Sequence, residues 1–139
     1  KGRGELHPMR EVLEYPYSKI GEKYFPVVPV VISFGNKEFP LEALIDAGAT
    51  ISIFKAEIAE LLDIDLEKCR RIVLRGIGGT ITAYVQRVIL KIGGKEIDTE
   101  VTFSKELDVK INLLGREGLF DNFEVCYNDK EKKVKLAGY

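Results

Sequence analysis

Glycines cut this sequence into short segments whose apolar residues alternate, and a chain divided in that way builds sheets before anything else. Phe25 to Phe34 ("FPVVPVVISF") is rich in valine, with prolines that suit an edge strand or a strand start. Gly35 to Lys37 ("GNK") reads as a turn into a second strand, Phe39 to Ile45. Arg71 to Ile77 and Thr80 to Ile92 flank the glycine cluster of Gly76, Gly78 and Gly79, which predicts a long hairpin with a glycine tip. Gly93 and Gly94 turn the chain again into Lys95 to Phe103, and Gly115 stops a short apolar strand, Ile111 to Leu114. A last hairpin runs from Phe123 to Tyr127 and back through Lys133 to Leu136 around "NDKEK". Helix is confined to two places. Phe54, Ile58, Leu61 and Leu62 fall on one face of a short helix from Lys55, with Ser52 as its cap, and Arg116 to Phe120 coils once. Glu11 to Lys23, broken by Pro16 and Gly21, reads as irregular. The expectation is a mostly β domain over residues 24–139 with one or two short helices, preceded by an irregular segment, 1–23, whose first residues, Lys1 to Pro8, read as a leader.

Composition narrows the function. A chain of 139 residues buries about two thirds of its unfolded surface and suffices for one core. No run approaches the roughly 18 apolar residues of a membrane span. Lys and Arg number 21 against 22 acidic residues, so nucleic acid is not the expected partner. Cys69 and Cys126 lack neighbours at metal-ligand spacing; no metal and no cofactor are expected, and a reduced thiol pair fits the cytoplasm. The one histidine, His7, precedes Pro8 near the start, which leaves no core Ser-His or Cys-His nucleophile pair.

The chemistry-bearing stretch is "LIDAGATISIF", Leu44 to Phe54. An apolar strand delivers a lone carboxylate, Asp46, into an elbow of small residues, Ala47, Gly48 and Ala49, before Thr50. This feature, the hairpin "RGIGGT" and "INLLGREGLF" at Ile111 to Phe120 are each common alone. In this order and spacing they resemble the retropepsin-like aspartic proteases over about Phe25 to Phe120.

The resemblance implies a closed β-barrel that is half of a pepsin-like enzyme and acts as a homodimer on an extended peptide. It implies that Asp46 is catalytic, within an active-site loop of Ala47, Gly48, Ala49 and Thr50. Gly76, Ile77, Gly78, Gly79 and Ile81 would form a flap over substrate, and Leu113, Leu114, Gly115 and Arg116 a buttress beneath the loop. One Asp per chain then requires a two-fold axis beside it, because peptide hydrolysis by this route needs one carboxylate as base and another as acid. Two ionised carboxylates about 3 Å apart repel by roughly 5 kcal/mol at an effective dielectric of about 20, so one proton is shared.

The pattern departs from the family at Ala47, where Thr or Ser is usual and its hydroxyl bonds across the dimer axis. Losing such bonds at about 1 to 3 kcal/mol per buried group weakens a dimer. A silent relative that binds peptides in the same dimeric groove is therefore the rival reading. Arg116 has no evident acidic partner, since Thr50 stands where many viral members carry an acid. Asp63 and Asp65 lack the glycine and distal Glu of a calcium loop and read as a solvated helix end. Glu96, Asp98 and Glu100 alternate on one strand face and read as an exposed edge, and Tyr15, Tyr17, Tyr24 and Phe25 as packing.

Overall fold

The fold is seen in a computed structural model, which describes residues 10–76, 78–106 and 111–139. Its order is β1 (Val12–Pro16), β2 (Ser18–Ile20), β3 (Lys23–Phe25), β4 (Val27–Phe34), β5 (Lys37–Ile45), β6 (Ile53–Lys55), α1 (Ala56–Leu61), a 3-10 turn (Leu66–Lys68), β7 (Arg70–Gly76), β8 (Gly79–Ile92), β9 (Lys95–Ser104), β10 (Asn112–Leu114), α2 (Arg116–Asn122), β11 (Phe123–Asn128) and β12 (Lys133–Gly138). The leader expected at Lys1 to Pro8 lies outside the described residues.

The main sheet runs β4-β5-β10-β6-β9-β8-β7, and a further pairing of β4 with β8 closes its first six strands into a ring. Strand alternation explains the filling of that ring. Val28, Val30 and Ile32 of β4, Leu90 and Ile92 of β8 and Val101 and Phe103 of β9 point inward and are almost wholly buried. Phe54 and Phe103 meet there as a tilted pair with centroids 6.1 Å apart. Each such buried side chain contributes about 1.5 to 3 kcal/mol of transfer free energy. The predicted mostly β character, the hairpins around Gly35 and Gly93 and the long β7-β8 hairpin are all present.

Three local expectations need correction. The segment expected to be irregular, Glu11 to Lys23, carries β1 and β2. β1 pairs antiparallel with β12, Val12 opposite Ala137, and β12 in turn with β11, so the two ends of the described chain share a three-stranded sheet. This sheet rests on the ring at Gly93, whose φ of +57° makes the β8-β9 turn and whose missing Cβ would lie 2.2 Å from Leu13 Cδ1. Ser52 does not cap α1: a strand, β6, intervenes, and Lys55 occupies the cap position with no side-chain cap bond. Leu61, assigned to the apolar face, is 52% exposed because the helix ends there, whereas Ile58 and Leu62 do enter the core. α2 is likewise broken within, at Glu117 and at Gly118, whose φ is +86°.

Candidate functional site

β5 and β6 are not paired with each other; β10 lies between them, parallel to β5 and antiparallel to β6. The chain from Asp46 to Ser52 must therefore cross the end of β10 to pass from one strand to the other. That crossing is the loop in which the sequence placed its carboxylate.

The loop is pinned from below almost residue by residue. The Asp46 N–H donates to the Leu114 carbonyl at 2.9 Å, the Gly115 N–H to Ser52 Oγ at 2.9 Å, the Arg116 N–H to the Ala49 carbonyl at 2.8 Å and the Glu117 N–H to the Thr50 carbonyl at 2.8 Å. The Ser52 carbonyl accepts from both the N–H and Oγ1 of Thr102, tying the loop to β9. Ser52 and Thr102 are buried, so these bonds replace water for groups that otherwise have none. Gly115 explains itself at this point: a Cβ there would come within 2.5 Å of the Ile51 carbonyl carbon and 2.9 Å of the Ala49 oxygen. Only a residue without a side chain lets β10 approach so closely. Asn112, also buried, receives the Lys55 N–H on Oδ1 at 2.9 Å and fixes the far side of β6.

Above this seat Asp46 is half-buried, and its Oδ1 accepts the Gly48 N–H at 2.9 Å while its carbonyl accepts the Ala49 N–H at 3.1 Å. A Cβ on Gly48 would stand 3.2 Å from that same Oδ1. Ala47 and Thr50 are exposed on the loop surface. The Tyr127 phenol on β11, 42% exposed, is pushed up first by its partial burial and then by the negative charge of Asp46, so the carboxylate's field reaches the terminal sheet.

The glycine-tipped hairpin borders the same region. Gly76 pairs with Gly79, and together with Gly78, Leu74, Ile81, Ile53 and Leu113 they line a groove of about 440 Å³. Leu113 thus belongs to the groove and Leu114 to the core, as alternation along β10 requires. Ile77, expected at the tip, lies outside the described residues. The Arg116 guanidinium is exposed and sits 5.5 Å from the Phe120 ring centroid, so this residue props the loop through its backbone and stacks its side chain.

Sequence reasoning missed the anchoring roles of Ser52, Thr102 and Asn112. Their signal was polarity within otherwise apolar strand segments, which becomes informative only when the partner strand is known. Among the described residues no group of three or more His, Cys, Asp or Glu is arranged to hold a metal, and no helix is long and apolar enough to cross a membrane. The Cys69 thiol is pushed up by burial and then by Asp65, which disfavours its nucleophilic thiolate.

Comparison with known proteins places these features. A family model described as aspartyl protease matches residues 28–117. No curated protein sequence matches the chain. Among solved structures, a retropepsin-like aspartic protease from Rickettsia conorii is similar with a TM-score of 0.62 and 20% identity, over 96% of this chain and 98% of that one. The EIAV protease, solved with an inhibitor, is similar with a TM-score of 0.56 and 23% identity, over 75% of this chain and 93% of that one. The matched span runs from β4 through the loop and hairpin to β10 and the start of α2, and on that ground the chain belongs to the aspartyl protease family, with the retropepsin-like fold.

Proposed function

We propose that this chain is an aspartic endopeptidase whose site is completed by a second copy. The observation that carries the proposal is Asp46 itself: a half-buried carboxylate oriented by the Gly48 N–H, on a loop seated rigidly across β10. A two-fold axis beside Asp46 brings it against its symmetry mate. The pair shares one proton, so one carboxylate takes a proton from water while the other gives one to the scissile carbonyl oxygen. Attack by that water forms a tetrahedral diol, and its collapse with proton transfer to the amide nitrogen breaks the C–N bond. The β7-β8 hairpin acts as a flap, offering backbone groups to an extended substrate that lies in the groove as an added strand. The structural seat lowers the cost of holding two like charges in register, because the loop does not need to be ordered at the moment of reaction.

Cleavage of a denatured protein mixture from about pH 3.5 to 7, read by mass spectrometry, tests this reading. Asp46→Asn keeps the loop's shape but cannot share a proton, and should lower turnover by at least about a thousandfold with the fold intact. Cleavage that survives in Asp46→Asn would refute the assignment.

Ala47 favours a second reading. Without a hydroxyl at this exposed loop position the cross-axis bonds of the family are missing, which suits a catalytically silent dimer that binds peptides in the same groove. Absence of cleavage at concentrations where a dimer is shown to persist would select it.

A further inference from the structure

The groove bordered by the hairpin is apolar on most of its wall, through Ile53, Leu74, Ile81 and Leu113, yet Glu106 also lines it. Glu106 is held there from two sides. Its N–H donates to Ser104 Oγ at 3.1 Å, and its Oε2 accepts the N–H of Thr82, next to Ile81 on β8. Ser104 Oγ in turn donates to the Thr82 carbonyl at 2.8 Å, so carboxylate, hydroxyl and β8 backbone form one small network at the root of the hairpin. No cation answers this carboxylate among the described residues. The neighbouring Lys105 is engaged elsewhere, 3.8 Å from Glu67 Oε1 and over the ring of Tyr84. Arg75, the other charged lining residue, is exposed near the glycine tip, opposite Thr80 in the hairpin register.

We infer that Glu106 makes this groove select a basic side chain of the bound peptide. The inference rests on the endopeptidase reading and adds the substrate class to it. A lysine or arginine suits both parts of the wall: its methylene stem covers the apolar residues while its head pairs with the fixed carboxylate. A purely apolar side chain covers the wall equally well but brings no cation to the exposed Glu106 carboxylate, which keeps only its bond from the Thr82 N–H and its hydration. An acidic side chain meets like charge at the groove root. Glu106 is therefore a specificity-determining residue, and the peptide it favours carries a cation at the position facing β8 and β10.

The test is a peptide set in which each position in turn carries lysine, glutamate or norleucine, the last of which matches lysine in stem length and lacks the charge. For the wild-type chain one position should show a clear lysine preference in kcat/KM. Glu106→Gln, which retains an oxygen acceptor for the Thr82 N–H, should reduce that lysine-to-norleucine ratio about fivefold to tenfold, and Glu106→Lys should turn it toward glutamate. The same peptides are titrated by fluorescence anisotropy onto Asp46→Asn and Asp46→Asn/Glu106→Gln, where binding is read without chemistry. A ratio that is the same with Glu106 and with Gln in both assays overturns the inference, as does a wild-type preference for acidic peptides set by Arg75. If no peptide is cut but the binding preference appears and depends on Glu106, the inference stands and the endopeptidase reading fails.

Discussion

The seat of the loop that carries Asp46 and the hairpin that borders it both depend on glycine near one groove, yet they are built on opposite principles. Beneath the loop, at the end of β10, glycine is forced by crowding: a Cβ on Gly115 would fall 2.5 Å from the backbone of Ile51. In the hairpin, glycine is surrounded by open space, since a Cβ at Gly76, Gly78 or Gly79 would meet nothing within 4 Å. The first region spends its backbone groups on bonds to β10 and β9; the second, beyond the ring, has its strands paired with each other and its root tied to Ser104 and Glu106 at Thr82. The same residue type thus marks a place where backbones press together and a place where nothing crowds them.

The sharpest way to break this contrast is Gly115→Ala. The clash is with backbone on both sides, so the strand must withdraw from the loop, at a cost of about 3 kcal/mol or more in urea unfolding. A cost below about 1 kcal/mol would mean that β10 does not seat the loop as closely as described. Ser52→Ala removes the acceptor of the buried Gly115 N–H and should destabilise by about 1 to 3 kcal/mol. The terminal sheet provides a third setting. There the buried Tyr17 hydroxyl donates to Asp129 Oδ1 at 2.7 Å, and burial, then this bond and the Asp129 charge, push its phenol up to about 12. A raised phenol favours the protonated fold, so its contribution is complete below the ordinary value near 10 and is lost as pH rises from there toward 12. Tyr17→Phe should cost about 1 to 2 kcal/mol at neutral pH and flatten the fall in stability across that window. Gly78→Ala, at the hairpin tip, should change stability by less than about 0.5 kcal/mol. A larger loss would show that the tip is packed, contrary to the open space around it.

How far the sequence could be read depended on the distance over which each feature is decided. The β7-β8 hairpin, the β4-β5 pair and the β11-β12 hairpin are local, and alternation identified all of them, with glycine turns in the first two and the polar Asn128 to Lys132 turn in the third. The loop at Asp46 and the Leu113-Leu114-Gly115 segment were legible separately as motifs. β1 escaped notice because its pattern is short, ends on Pro16, and is satisfied by a partner far along the chain. Ser52 was misread for the same reason. A serine ahead of an apolar helical face is a reasonable cap by local rules, but its hydroxyl is claimed by Gly115, which no local rule can see. Glu106 belongs to none of the motifs in the sequence, and its contact with Thr82 becomes visible only once β8 and β9 are paired.

The position of β10 between β5 and β6 sets an order of assembly during synthesis. When Asp46 leaves the ribosome its strand can already pair with β4, but the strip on which its loop will rest has not been made. Until Asn112 to Glu117 have been added, the N–H of Asp46 and the carbonyls of Ala49 and Thr50 face solvent, and the ring has a gap where β10 belongs. At about 5 to 20 residues per second the wait lasts several seconds. The carboxylate is an early residue in the chain and a late one in the fold, so a nascent or truncated chain lacking β10 carries the acid without its seat.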